Sequence, residues 1–152
     1  MAVQKKISEL TAKTSPLKHT DILVCSQLDG ATYTSKKITG AQIFPYKVYS
    51  TILSQSSTSN PVVTGGFDQM GATYTWLRSS AGTYTLQTNQ GNFFSGNVLL
   101  SILLAGTSNL GAYVRWEITS SSMITLYTYN RSNVLTDSIF NNASFELKIV
   151  NF

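Results

Sequence analysis

Cysteine and histidine are almost absent from this sequence, and their scarcity excludes several classes of site. The 152 residues include one cysteine, Cys25, and one histidine, His19. A single cysteine cannot form an intrachain disulfide, and the chain cannot supply a cysteine-based or two-histidine metal site. We therefore expect no metal and no other cofactor.

Charge is also scarce. Charged residues make up 12% of the chain, about half of the usual share of roughly 25%. Polarity comes instead from 20 serines and 19 threonines, and aromatic residues contribute 11%. Disordered chains are charge-rich and poor in aromatics, so this composition predicts a folded protein, and its Ser/Thr-rich, Tyr/Phe-rich character is typical of an all-β fold.

Long hydrophobic runs are missing as well. The longest apolar stretch is Val98–Ala105, far short of the roughly 20 residues that a membrane helix needs. The start, Met1-Ala-Val-Gln-Lys-Lys, has no apolar run behind it and does not have the pattern of a signal peptide. We expect a soluble protein that is made in the cytoplasm and not cleaved, with no membrane insertion.

The positive charge is concentrated in the first third of the chain. Seven lysines and three acids lie up to Lys47, whereas four basic and four acidic residues cancel beyond it. A basic arm can bind nucleic acid or a negatively charged protein surface. The lysines are scattered, and no arginine lies among them. We therefore expect a protein partner and no nucleic acid.

Two regions that differ in charge and in the length of their predicted elements meet near residue 44. In the first, residues 1–43, Asp29-Gly30 lies between two strand-like runs and predicts a hairpin, because this dipeptide tolerates the positive φ angles of a tight turn. Thr39–Gln42 has the spacing of a helix N-cap and predicts one helical turn. A lone hairpin is marginally stable in water, so we expect this segment to pack on a neighbour.

The second region, residues 44–152, has turn signals at intervals that predict an antiparallel, jelly-roll-like β-sandwich of about eight strands. Alternation of apolar and polar residues is clear in Tyr46–Gln55 and Gly111–Thr119. Gly65-Gly66 is expected to interrupt the chain, and Asn97–Ala105, apolar on both faces, to form a central or interface strand. The predicted strands are 46–55, 61–64, 72–78, 82–88, 97–105, 111–119, 123–130 and 144–151.

No group of residues has the pattern of a catalytic site. His19 and Asp21 have no nucleophile signature beside them, and Cys25 lies in an apolar strand, where cysteine usually acts as a small buried hydrophobe. The four acids of the second region are not spaced as a facing pair of carboxyl groups, which a glycosidase requires. We expect no enzyme, no catalytic residue and no metal ligand.

Aromatic residues exceed what one small core requires. Tyrosine and tryptophan on the less buried faces of strands favour sugar stacking or protein–protein interfaces. The candidates for interface or glycan contact are Tyr74, Trp76, Tyr113, Trp116, Tyr127 and Tyr129.

Several short motifs of the first region resemble one family. Lys6–Ala12, Thr14–Leu17, Asp21–Val24, Asp29-Gly30 and Lys36–Thr39 resemble the N-terminal segment of many tailed-bacteriophage virion proteins. The resemblance implies that residues 1–43 attach the protein to a phage particle. The residues that it implies for attachment are Ile7, Leu10, Pro16, Leu17, Asp21, Leu23, Val24, Gly30, Lys36, Lys37 and Ile38.

The second region is similar in texture to β-rich proteins of phages that infect Bacteroidetes, including crAss-like gut phages. Tyr46–Gln55, Asn60–Thr64 and Tyr74–Thr85 carry this similarity. No repeat, heptad pattern or collagen-like period indicates a long fibre shaft. The resemblance therefore implies a compact knob, such as a head fibre, a capsid decoration or a tail appendage.

Together these features lead to two hypotheses. The first is a virion structural protein that docks on capsid or tail proteins and forms a homo-oligomer, most simply a trimer. The second is a carbohydrate-binding module that recognises host surface glycans through its exposed aromatic residues.

Overall fold

The computed structural model describes residues 22–29, 32–39, 46–106 and 109–150, and nearly all of the regular secondary structure in this part of the chain is β-strand. Its ten strands are all paired antiparallel. They are β1 (Ile22–Asp29), β2 (Thr32–Thr39), β3 (Tyr46–Ser54), β4 (Val62–Asp68), β5 (Tyr74–Ser80), β6 (Thr83–Thr88), β7 (Val98–Leu103), β8 (Tyr113–Ser120), β9 (Met123–Tyr129) and β10 (Ala143–Val150).

The chain divides into two compact units, Met1–Phe44 and Pro45–Phe152. In the first unit, β1 and β2 form a two-stranded sheet in which Leu23 is opposite Ile38 and Val24 is opposite Lys37. The predicted hairpin is thus confirmed. The helical turn predicted at Thr39–Gln42 starts at the last residue of β2 and otherwise lies outside the described residues.

The second unit is a β-sandwich, which confirms the predicted fold class. One sheet has the strand order β4-β3-β10-β7 and the other has the order β5-β6-β9-β8. The eight strands β3–β10 match the predicted number. Buried and half-buried residues alternate along β10. This strand pairs with β3 on one side and β7 on the other. Successive side chains of a strand point to opposite faces of the sheet, so every second residue of β10 points into the core.

Aromatic contacts across the two sheets form the centre of the core. The ring of Trp76 on β5 meets that of Phe145 on β10 edge-to-face, with centroids 4.8 Å apart, and its Nε1 donates a hydrogen bond to the Tyr49 hydroxyl on β3 at 3.3 Å. Edge-to-face packing suits the ring quadrupoles and adds to the burial of apolar area. The second unit supplies a hydrophobic core from its own residues: Val48, Tyr49, Leu53, Met70, Trp76, Tyr84, Leu86, Phe93, Val98, Ile124, Leu126, Ile139, Phe140, Ala143, Phe145, Leu147 and Ile149.

One strand prediction was wrong, and one of two alternatives for another strand is excluded. Gly65-Gly66 does not interrupt the chain but lies inside β4, beside a register shift at Ile52/Leu53. A Cβ on Gly66 would lie 2.6 Å from the Ser50 carbonyl oxygen, so glycine here permits close approach of β3 rather than a break. Of the two alternatives for Asn97–Ala105, the central strand is excluded, because β7 is the last strand of its sheet; the interface strand stays a prediction.

The predicted hairpin of β5 and β6 is confirmed, and its turn depends on Gly82. Gly82 has a φ of +64°, and a Cβ there would lie 2.5 Å from the Thr136 nitrogen and 2.8 Å from the Thr128 carbonyl oxygen. Both the left-handed conformation and the lack of space require glycine. This turn therefore packs directly against the segment that follows β9.

Candidate functional site

The structure divides the predicted aromatic candidates between the core and the surface. Trp76 is only 6% exposed and belongs to the core, so its prediction as a contact residue was wrong. Tyr74 is half-buried and stacks on Tyr49 with ring centroids 4.0 Å apart. Burial raises the pKa of Tyr74, whose hydroxyl donates to the Met70 sulfur. Both residues lie on the inward face of β5, where their rings fill the core next to this edge strand.

Three of the other candidates lie together on the outer face of the second sheet. Tyr113 on β8 is directly opposite Tyr129 on β9, and their rings stack with centroids 4.9 Å apart and planes inclined by 15°. The guanidinium of Arg115 lies 5.6 Å from both ring centroids. A cation over aromatic faces is attracted by the ring quadrupoles, so Arg115 and the two rings hold each other in place.

The third candidate, Tyr127, extends this arrangement along β9. Its hydroxyl donates a 2.7 Å hydrogen bond to Oε1 of Glu117, and this bond, followed by desolvation, raises the pKa of Tyr127. Residues Tyr113, Arg115, Glu117, Tyr127 and Tyr129 are called the outer-face cluster below.

The outer-face cluster combines three kinds of recognition group on one half-exposed surface. The stacked tyrosines present flat apolar area, Arg115 carries a cation, and Glu117 carries a carboxylate. Aromatic faces with flanking hydrogen-bonding groups can contact a sugar ring or another protein. The sequence indicated the aromatic residues and the shared face of Arg115 and Glu117, but not the register that places Tyr113 opposite Tyr129.

Trp116 lies on the other face of β8 and lines an apolar groove. It is 37% exposed, and the groove, of about 400 Å³, lies between β8 and the edge strand β7. Its lining residues are Leu100, Ile102, Leu103, Leu104, Ala112, Tyr113, Val114 and Trp116. The edge strands β7 and β8, one from each sheet, therefore share one apolar side.

A polar network that sequence reasoning missed joins Asp137 to the β5–β6 hairpin. The carboxylate of Asp137 accepts hydrogen bonds from Nε and Nη2 of Arg78 at 2.9 and 2.8 Å, from the Gly82 nitrogen at 3.0 Å and from the Tyr84 hydroxyl at 2.7 Å. The Arg78 guanidinium lowers the pKa of Asp137 to about 2. With its oxygens occupied by these four donors, the carboxylate positions the segment after β9.

The other predicted residues divide by whether the structure describes them. In the first unit, Leu23, Val24, Lys36, Lys37 and Ile38 lie on β1 and β2, and the side chain of Lys37 is exposed whereas that of Ile38 is half-buried. The remaining attachment residues lie outside the described part of the chain: Ile7, Leu10, Pro16, Leu17, Asp21 and Gly30. Cys25 lies on β1, and His19 lies outside the described residues.

The described residues contain neither a cluster of metal-ligating side chains nor a membrane-spanning helix. Among residues 22–29, 32–39, 46–106 and 109–150, no three His, Cys, Asp or Glu side chains are grouped as a metal site would need. Within the same ranges, no helix has the length and apolar character to cross a membrane.

Comparison with known proteins gave no match. No family model matches this chain, and neither do the curated proteins or the solved structures that were compared with it. The function therefore has to be inferred from the residues and their geometry.

Proposed function

We propose that this chain is a non-enzymatic structural protein of a tailed-phage virion. Residues 1–43 dock on a capsid or tail protein, and the β-sandwich forms a homo-oligomer that faces outward as a head fibre, capsid decoration or tail appendage. The observation that carries this proposal is the separation of a two-stranded sheet, β1–β2, from a sandwich that has its own core.

The two-stranded sheet is the kind of element that gains stability from a partner. Two strands of eight residues bury little on their own, and isolated hairpins of this kind are marginal in water. Within the described residues, β1 and β2 pair only with each other, so each has an edge to which another strand can be added. Docking on a larger assembly would supply the missing contacts.

Charge favours an acidic docking surface. Lys36 and Lys37 are adjacent on β2, and the side chain of Lys37 is exposed. All of the formal charge of +4 arises up to Lys47, so the first region is the electropositive end of the chain. Complementary potentials speed association and fix orientation, and binding should therefore weaken as salt rises.

Deletion of residues 1–43 tests the attachment role. Because the sandwich has its own core, the shortened protein should stay folded, with unchanged near-ultraviolet circular dichroism and cooperative unfolding. It should be absent from purified virions of the phage that encodes it, whereas the full chain should be present in a fixed copy number. Incorporation of the shortened protein at the normal level would refute the attachment role.

The outer-face cluster supports a second candidate function, carbohydrate binding. Tyr113 and Tyr129 form a flat stacked pair with Arg115 above them, and Tyr127 and Glu117 add hydrogen-bonding groups beside it. This is an arrangement on which a sugar ring could stack while its hydroxyls are bound.

A glycan array tests this candidate with a matched control. Tyr113→Ala and Arg115→Ala should each abolish any glycan signal. Tyr46→Ala is the control, because Tyr46 also lies beneath a cation, with the Lys148 Nζ 5.2 Å from its ring centroid, but on the other sheet. Absence of binding by the wild-type protein, or equal loss in all three variants, would reject the carbohydrate site.

A further inference from the structure

We propose that the sandwich associates with a second copy of itself through β7, edge to edge and antiparallel, about a two-fold axis at Ser101. This inference rests on the homo-oligomer in the proposed function and names its contact. It differs from the trimer that the sequence favoured. The observations that carry it are the outer edge of β7, which no strand of the described residues pairs with, the exposed apolar side chains of β7 and the symmetry of its sequence.

No strand in the described part of the chain covers the outer edge of β7. Among the described residues, β7 pairs with β10 alone. The Val150 nitrogen donates to the Asn97 carbonyl oxygen at 2.8 Å, so Asn97 directs its backbone groups toward β10. Because backbone direction alternates along an antiparallel strand, Ser101 also faces β10, while Leu100 and Ile102 direct their N–H and C=O groups to the free edge.

β7 also lacks the features that protect an exposed edge. Each of the other three edge strands of the sandwich carries charge: Asp68 on β4, Arg78 on β5, and both Arg115 and Glu117 on β8. The β7 sequence, Val-Leu-Leu-Ser-Ile-Leu, has no charge, proline or glycine. Exposed edges of this kind are normally blocked by charge, proline or a bulge, so an unblocked edge indicates that it is covered in the assembled protein.

Exposed leucines increase the apolar area at this edge. Leu99 and Leu103 are 59% and 69% exposed. No charged residue lies beside them on β7. The groove beneath β7 adds Trp116 and Val114 from β8. A stable interface involves roughly 20–30 residues on each side, so one strand is not sufficient and the groove must belong to the same contact.

The sequence around Ser101 is nearly palindromic in chemical character. Leu100 and Ile102 flank the serine, Leu99 and Leu103 lie one step further out, and the next pair is Val98 with Leu104. In an antiparallel pair centred on Ser101, Leu99 of one copy is opposite Leu103 of the other, and Leu100 is opposite Ile102. Each aliphatic side chain is thus opposite another aliphatic side chain on the same face of the joined sheet.

The symmetry brings the two grooves together as well. β7 and β8 are the last strands of their sheets on the side where the groove lies. A two-fold axis that joins the β7 edges therefore turns each groove toward the groove of the other copy, and the contact covers Trp116. Since a two-fold contact places each central group opposite its own copy, an uncharged centre at Ser101 is what such a contact requires.

Cysteine cross-linking tests the register directly. Ser101 would form a pair without hydrogen bonds to its own copy, with Cα atoms about 4.5 Å apart, which lies within the range for a disulfide. In a full-length chain carrying Cys25→Ser, Ser101→Cys should form covalent dimers on mild oxidation. Leu99→Cys is the matched control, because its two copies would be about 13 Å apart along the strands and should stay unlinked. The double variant Leu99→Cys/Leu103→Cys should link again.

A charge substitution tests the association itself. Ser101→Lys places two lysines against each other at the axis, whereas in the monomer the new side chain lies opposite Glu146, so its fold should be kept. Light scattering after gel filtration should show a dimer for wild type and at least tenfold weaker association for Ser101→Lys. Thr75→Lys, at the edge strand β5, should leave the dimer intact.

The contradicting results are equally specific. A wild-type monomer at about 100 µM, a trimer, or a dimer that Ser101→Cys fails to link would overturn the β7 contact. If Ser101→Lys does not fold, the cross-linking pattern alone decides. A monomeric protein that still enters virions would overturn this inference and leave the attachment role intact, whereas a β7-linked dimer that is absent from virions would do the reverse.

Discussion

Replacing Asp137 with asparagine should destabilise the β-sandwich at neutral pH, and the loss should largely disappear in acid. Asp137 accepts two hydrogen bonds from Arg78 and one each from Gly82 and Tyr84. Asparagine keeps the shape and one acceptor oxygen but removes the charge that binds the guanidinium.

The magnitude follows from the pKa of Asp137, which hydrogen bonding to Arg78 lowers from 3.8 to about 2. The gap between the two values corresponds to about 2 kcal/mol at most. The side chains of Arg78 and Asp137 are 19% and 17% exposed, so the pair lies close to solvent. Screening there reduces the expected loss to about 1–2 kcal/mol.

The sign of the pH dependence follows from the direction of the shift. A carboxyl whose pKa is lowered in the folded state stabilises that state above its unfolded pKa, and this contribution is lost as pH falls through the folded value. The difference between wild type and Asp137→Asn should therefore be full above pH 5 and mostly gone near pH 2, within the limits set by the two pKa values.

Urea unfolding followed by tryptophan fluorescence provides the assay, because Trp76 lies in the core. The free energies of unfolding of both proteins should be measured at pH 7, 5, 3 and 2. Glu117→Gln is the control, since Glu117 is on the exposed outer face and its change should cost little. An equal deficit for Asp137→Asn at pH 7 and pH 2, or no deficit at pH 7, would refute the reasoning.

Two further predictions concern glycine and tryptophan. Gly82→Ala should destabilise the sandwich by more than about 2 kcal/mol, because it combines a left-handed φ with a backbone clash. Gly71→Ala should cost only about 1 kcal/mol, because Gly71 has a similar φ but open space around its Cβ; equal losses by urea unfolding would contradict the clash. Trp116→Phe should remove most of the acrylamide-quenchable fluorescence of the Ser101→Lys monomer and leave a blue-shifted signal from Trp76. Strong quenching in that variant would show that Trp76 is not buried.

Local patterns were sufficient to predict most of the strands and the fold class. Alternation in β10 placed Phe145, Leu147 and Ile149 on one face, and these residues are buried. Period-two alternation reports burial on one side of a sheet wherever that side is fully covered, so it can be read from neighbours in sequence. For the same reason, the Asp29-Gly30 signal was sufficient to predict the hairpin of β1 and β2.

Strand order could not be derived in this way. The apolar run of β7 was consistent with either a central or an interface strand, because hydrophobicity does not distinguish a strand covered by its own chain from one covered by another. Gly65-Gly66 was expected to break the chain, since glycine is weak in strands, but the close approach of β3 gives it a place in β4.

Side-chain partners distant in sequence depended on the packed sandwich. Trp76 and Trp116 both lie on the inward faces of edge strands, yet one is enclosed by Phe145 and the other opens into a groove. Asp137 and Arg78 are 59 residues apart in the sequence, and no local motif predicts that they pair. Composition and periodicity establish which residues are apolar enough to be buried and which strands they form. The arrangement of the two sheets decides which of those residues are enclosed, because enclosure depends on neighbours that the chain brings together only when it folds.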